Sequence, residues 1–262
     1  MKNLKRNVWL LISMTTALTF LSGCHRSPSV SEKQASIEQS AQAQQSSLHQ
    51  QAHKQKIAMQ QYENQLRKQL SAIPYKQGAP LVVMVNQSHA SLNIKNWQSN
   101  AIIYPPLDRM NRINQITTAY LDHHNYLANP QVVEHTQKLV GYHPKMHLVP
   151  TTLISPQITH NLNQQGQPQD NAPLILDRHN TIVLTTDAQQ QFNQYEQKII
   201  NALKQPKSKV SLQVMPIYQG NDLLAKGVWM QAVSNNGLNF NVYIHNVQQG
   251  VTYNYQTGTI QH

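Results

Sequence analysis

The chain has 262 residues, 21 Lys and Arg against 11 Asp and Glu, and one cysteine, Cys24. A lone cysteine excludes an internal disulfide framework. A formal charge of +10 on a chain of only 12% charged residues, rich in Gln and Asn with 13 His, points to a polyanion as partner without choosing which.

The N-terminus reads as a targeting segment. Lys2, Lys5 and Arg6 form a positive start, and Val8 to Leu21 is an apolar stretch too short and wrongly flanked for a stable membrane span. It ends in Leu21-Ser22-Gly23-Cys24, which resembles a bacterial lipobox. That resemblance implies removal of residues 1–23, lipidation of Cys24 and anchoring through several acyl chains. His25 after the cysteine, in place of an acidic residue, favours the outer membrane over the inner one. The mature chain keeps 18 Lys and Arg against 11 Asp and Glu, a net charge of +7 once the three cations of the leader are gone. A basic protein in the envelope is expected to meet nucleic acid, lipopolysaccharide or an anionic membrane surface.

Residues 24–73 are a Gln-, Ser- and Ala-rich tether. Ile57, Tyr62, Leu66 and Leu70 recur at loose helical spacing, so the segment reads either as a polar helical stalk or as disordered. Composition changes at Ile73-Pro74, and residues 74–262 are long enough for one domain with its own core. Leu81 to Val85, Ala101 to Tyr104 and Asn114 to Tyr120 read as strands, residues 161–172 as a polar loop, and Thr181 to Thr185 as a short apolar strand. Asp187 is placed to cap a helix whose apolar face is Phe192, Tyr195, Ile199 and Leu203, stopped by Pro206. Val210 to Tyr218, Val228 to Val233 and Asn239 to His245 are the last strands, with Gly237 in a turn. Strands with one strong helix make the class α+β.

Three patches, in order, resemble the DNA/RNA non-specific endonuclease family of ββα-metal nucleases, particularly its DNA-entry branch. They are Ile103 to Arg112 with Ala119-Tyr120, Lys145 to Val149, and Asn180 to Lys198 continuing into Ile217 to Ile260. The resemblance implies a nuclease-like domain with a central antiparallel sheet, and hydrolysis of DNA or RNA with one Mg²⁺-type ion. By position, His147 matches the general base, Asn180 the ion-binding amide, Glu196 the helix carboxylate near the metal waters, Lys145 the motif cation and Arg112 a substrate-side cation. The chain departs from the family pattern at Pro144, Met146, Leu184 and Gln189, and the interval from His147 to Asn180 is long. A degenerate domain that binds nucleic acid or envelope polyanions without cutting, and an envelope scaffold, are therefore the alternative readings. His123-His124, His143 and His160 lack Cys or Asp at ligand spacing and read as surface composition, while Trp97 and Trp229 read as packing residues.

Overall fold

A computed structural model describes residues 30–134, 139–144, 146–172, 174–176 and 178–261. The leader, Cys24 and Lys145 lie outside the described residues. The elements are α1 (Val30–Ser71), β1 (Val82–Met84), β2 (Ala101–Ile103), β3 (Thr117–Asp122), β4 (Val132–Glu134), β5 (Leu148–Thr152), β6 (Leu174–Leu176), β7 (Thr181–Thr185), α2 (Thr186–Leu203), β8 (Lys209–Ile217), β9 (Gly227–Ser234), β10 (Asn239–His245), β11 (Tyr253–Asn254) and β12 (Thr259–Ile260). Among the described residues no helix is long and apolar enough to cross a membrane.

The chain divides into two compact units at Lys56/Ile57. The first is the polar early part of α1, free of Gly and Pro and rich in good helix formers. The second begins inside α1 rather than at residue 74, because Leu66 and Leu70 are buried and Glu63 accepts the N–H of Ile116 at 3.0 Å. Pro74 disfavours helical backbone at Ile73 and helps end the element.

The centre is a six-stranded antiparallel sheet in the order β1-β10-β9-β8-β3-β2. Both faces are covered. Val210, Leu212 and Val214 of β8, Val228 and Met230 of β9, and Phe240 and Val242 of β10 meet Phe192, Ile199 and Leu203 of α2. Alternate residues Met215, Ile217, Trp229 and Tyr243 meet Leu66 and Leu70 of α1. That double burial is why β8 to β10 read as nearly unbroken apolar runs.

One row on the α1 side is polar. Trp229 donates to Asn241 and Gln231 to Gln213, each at 2.8 Å, and Gln213 donates to Thr118 at 3.3 Å. Cross-strand bonding satisfies these covered amides. The polar loop closes the sheet's β2 edge, where Ile102 donates to the carbonyl of Gly166 at 2.8 Å. Gly166 has φ +73, and a Cβ there would lie 2.0 Å from the Ile102 carbonyl oxygen.

Beside this sheet β5 pairs antiparallel with β7, from Leu148 opposite Thr185 to Thr152 opposite Thr181, and β7 runs directly into α2. The helix cap is Thr185, whose hydroxyl accepts from Ala188 at 3.1 Å, rather than Asp187, which falls in the first turn.

Candidate functional site

The strand pair β5–β7 followed by α2 carries most of the residues singled out from sequence, and its register fixes their places. His147 precedes β5 and stands against the start of α2: the Thr186 N–H donates to the His147 carbonyl at 2.9 Å. Its side chain is exposed and its φ is +55, a left-handed conformation that few non-glycine residues adopt. The neighbouring Met146 carbonyl accepts the hydroxyl of Tyr253. Two consecutive carbonyls are thus held, one by α2 and one by Tyr253, so the backbone that carries the imidazole is tied at both residues.

Asn246 ties this corner to the central sheet. It is fully buried, accepts the N–H of Thr185 at 2.7 Å and donates to the carbonyls of Val183 and Ala225. The Thr185 hydroxyl also reaches the Val247 carbonyl at 2.7 Å. No local signal marks Asn246 or Tyr253 in the sequence, because each acts on a partner far along the chain.

Asn180 sits at the other end of the ladder. Its side-chain oxygen accepts the N–H of Ile154 at 2.9 Å and its amide nitrogen donates to the Ile154 carbonyl at 2.8 Å. Six residues of extended strand, roughly 20 Å at about 3.3 Å each, separate that rung from His147. The structure does not bring Asn180 and His147 together, and the closed pair of amide bonds fits a backbone clamp rather than an ion ligand.

Glu196 lies ten residues into α2, about 15 Å along its axis from Thr186. Burial pushes its carboxyl up to about 7, against a hydrogen bond from Ser155 that lowers it. Ser155 adjoins Ile154, so Glu196 belongs with the Asn180 end. A carboxyl poised near neutrality is the usual property of an acid–base group.

Arg112, expected on the substrate side, is buried and fully engaged. It binds the Asp108 carboxylate through two nitrogens at 2.7 and 2.9 Å, donates to the carbonyls of Gly220 and Asp222, and lies over the Tyr218 ring. Burial raises the Asp108 carboxyl, but the bonds from Arg112 outweigh it and hold it below the usual carboxylate range. The guanidinium pins the 108–112 turn to the 220–222 turn.

Two further features bear on anion binding. The first-turn amides of α2 are already used: Thr186 on the His147 carbonyl, Asp187 on Gln248 and Ala188 on Thr185. The helix start is therefore not an open phosphate cradle. A cleft of about 430 Å³ runs along β7, walled by Thr181 to Val183, Arg112, Tyr142, His143 and Arg178. Arg178 is exposed, and His143 donates from Nε2 to the Thr257 carbonyl at 3.0 Å. Among the described residues His147 does not line the cleft; Arg178 and Thr181 place the cleft toward the Asn180 end of the ladder.

No protein-family model matches the chain, and no curated protein matches its sequence. Solved structures do. NucA from Streptococcus agalactiae with no metal bound aligns with a TM-score of 0.59 and 23% identity, covering 77% of this chain and 96% of that one. The same nuclease with magnesium bound gives 0.57 and 20%, over 77% and 97% of the two chains. The Sda1 nuclease with bound zinc gives 0.51 and 17%, over 71% and 98%. The chain shares the α+β fold of these structures, and in it β5 pairs with β7, which leads directly into α2.

Proposed function

We propose that the protein binds nucleic acid along the cleft beside β7 and hydrolyses its phosphodiester bonds with His147 as general base. The observation that carries this reading is His147 itself: an exposed histidine whose backbone carbonyl is held by the first residue of α2, just before β5, in a nuclease fold. The imidazole accepts a proton from water as that water's oxygen bonds to phosphorus; the P–O bond to the leaving oxygen breaks, and that oxygen takes up a proton from solvent. Arg178 supplies positive charge on the cleft wall, and Lys145, two residues before His147 in the sequence, is proposed as a second cation for the phosphate. Glu196 is proposed as an acid–base carboxyl of the Asn180 end, with no step assigned to it at His147.

The magnesium in the Streptococcus agalactiae structure makes a Mg²⁺-type ion the proposed cofactor. Asn180 does not fit as its ligand here, and no step is assigned to the ion. Lipid attachment at Cys24 is proposed to hold the protein in the cell envelope, with the outer membrane favoured, and DNA or RNA is the proposed partner.

The test is nicking of supercoiled plasmid by the purified protein, with Mg²⁺ and with EDTA, beside His147→Ala. The reading predicts Mg²⁺-dependent nicking that falls by about 10²–10⁴ in the variant. The closure of Asn180 on Ile154 and of Arg112 on Asp108 favours one second reading, a fold kept for binding without hydrolysis. Equal inertness of wild type and variant, with salt-sensitive DNA binding retained, would establish that second reading instead.

A further inference from the structure

We propose that Asp122, His123 and His124 form a surface site for a Zn²⁺-class dication, separate from the corner built around His147. One donor atom from each residue lies within 4.8 Å of the other two. The His124 Nδ1 and Asp122 Oδ1 atoms are 3.2 Å apart. Two ligands on one tetrahedral Zn²⁺, with bonds of about 2.0–2.1 Å, stand about 3.3 Å from each other. This pair is therefore already spaced as an edge of the coordination tetrahedron. The His123 and His124 rings are 3.7 Å apart between centroids. Successive side chains of a 3₁₀ turn fan out by about 120°, so that convergence is not what the turn alone produces.

The backbone under the site is fixed without any ion. Asp122 and Asn125 cap each other across the turn, with Asp122 accepting the His124 N–H and Asn125 accepting the Asp122 N–H, both at 2.9 Å. Buried Asn125 donates to the His160 carbonyl at 2.8 Å, and the His123 N–H reaches the Ser208 carbonyl at 3.2 Å. Lys209 lies cross-strand from Asp122, but its ammonium sits over the Trp97 ring at 4.0 Å, where it does not compete for the carboxylate. Binding orders two imidazoles and one carboxylate on a preset frame.

Two nitrogens and one carboxylate oxygen suit Zn²⁺, Ni²⁺ and Cu²⁺, whereas Mg²⁺ prefers an all-oxygen octahedron. The His124 side chain is 68% exposed, so water completes the sphere. The turn adjoins the far end of α2, where the Lys204 ammonium lies 5.5 Å from the Tyr126 ring. His147 adjoins the near end, and the 18-residue helix spans about 27 Å. The two sites are therefore distinct.

The experiment is calorimetric titration of the chelator-treated full chain with Zn²⁺ and, separately, with Mg²⁺. Wild type, His123→Ala, His124→Ala and Asp122→Asn are compared, the last keeping an N-cap oxygen. The expected result is one Zn²⁺ equivalent that disappears in both histidine variants, weakens at least tenfold in Asp122→Asn, and has no Mg²⁺ counterpart. Co²⁺ added to wild type is expected to give the ligand-field absorption of a four-coordinate site, absent in His124→Ala. Circular dichroism checks that each variant is folded, and Asp122→Asn decides the matter if a histidine variant is not. Retention of every Zn²⁺ equivalent in the variants overturns the proposal. Loss of Mg²⁺-dependent nicking in His124→Ala overturns the separateness of the two sites.

Discussion

Thr186 donates its backbone N–H to the carbonyl of His147, so the first residue of α2 also fixes the residue that leads into β5. Tyr253 completes the arrangement through its hydroxyl on the Met146 carbonyl. Tyr253→Phe removes that bond and little else, because the ring stays in the cluster with Leu148, Val183 and Leu224. With His147 as the proposed base, the expected outcome is a drop of about tenfold in kcat with KM nearly unchanged, since a small misplacement acts on the chemical step. Thermal unfolding should register a loss of only about 1 kcal/mol. Steady-state kinetics on a short oligonucleotide separates this positioning effect from a general loss of fold.

Asn180 is expected to matter for stability before chemistry. Its two bonds to Ile154 hold the end of the β5–β7 ladder next to Ser155 and hence next to Glu196. Asn180→Ala leaves the Ile154 N–H and carbonyl without these partners, at about 1–3 kcal/mol by the usual cost of an unmade bond. Urea unfolding of wild type and variant should show that loss, while the Mg²⁺ concentration for half-maximal nicking stays the same. A selective tenfold weakening of the Mg²⁺ requirement in a fully stable variant would return Asn180 to the ion.

Arg112 makes a parallel case. A buried guanidinium against Asp108, with two carbonyls and an aromatic face as further partners, is a structural brace. Arg112→Ala removes these bonds while Asp108, half-buried, keeps the N–H groups of Met110 and residue 112 and the Asn114 amide, so the expected cost is about 1–3 kcal/mol. The dependence of DNA affinity on salt, which counts released phosphate counterions, should keep its slope in whatever fraction remains folded. Arg178→Ala should do the reverse, lowering the slope by about one with little change in melting temperature.

What the sequence made legible follows the range of the interactions. Strands β8 to β10 and helix α2 were readable because their periodicities are local, and the apolar positions Phe192, Ile199 and Leu203 do form the buried helix face. Strand β5 was missed. Its Leu-Val-Pro-Thr-Thr run carries Pro150, tolerated in a two-stranded ladder, and its partner β7 lies some thirty residues away. The helix cap moved from Asp187 to Thr185 because Thr185 is pulled into place by Asn246 and Val247, contacts that no local window contains. The same reason explains Asn180 and Arg112, whose residue types suit ion or phosphate binding but whose donors and acceptors are taken by Ile154, Asp108 and the 220–222 turn. His123 and His124 read as surface composition without an Asp partner, yet the structure gathers Asp122 with both imidazoles at a turn capped by Asn125, a convergence that sequence reading passes over.

Glu196 gives a pH signature whose sign is fixed by the direction of its shift. Burial raises the carboxyl from an ordinary 4.5 to about 7, so between those values the folded chain holds a proton that the unfolded chain has released. Stability must therefore fall as pH rises through that window. His245, packed between Tyr75 and Tyr243 and held below the usual imidazole range by burial, works the other way, losing stability as pH falls. The informative quantity is thus the difference between wild type and Glu196→Gln, in which the His245 contribution cancels. The variant keeps a partner for the Ser155 hydroxyl and cannot ionise. It is expected to gain on wild type by about 1–3 kcal/mol between pH 4.5 and pH 8, read as urea midpoints at matched ionic strength. A constant difference across that range would show that Glu196 ionises normally. If Glu196 also takes part in hydrolysis, the pH–rate profile of wild type should lose a limb near pH 7 in the variant, whereas a purely structural carboxyl would leave the profile's shape intact.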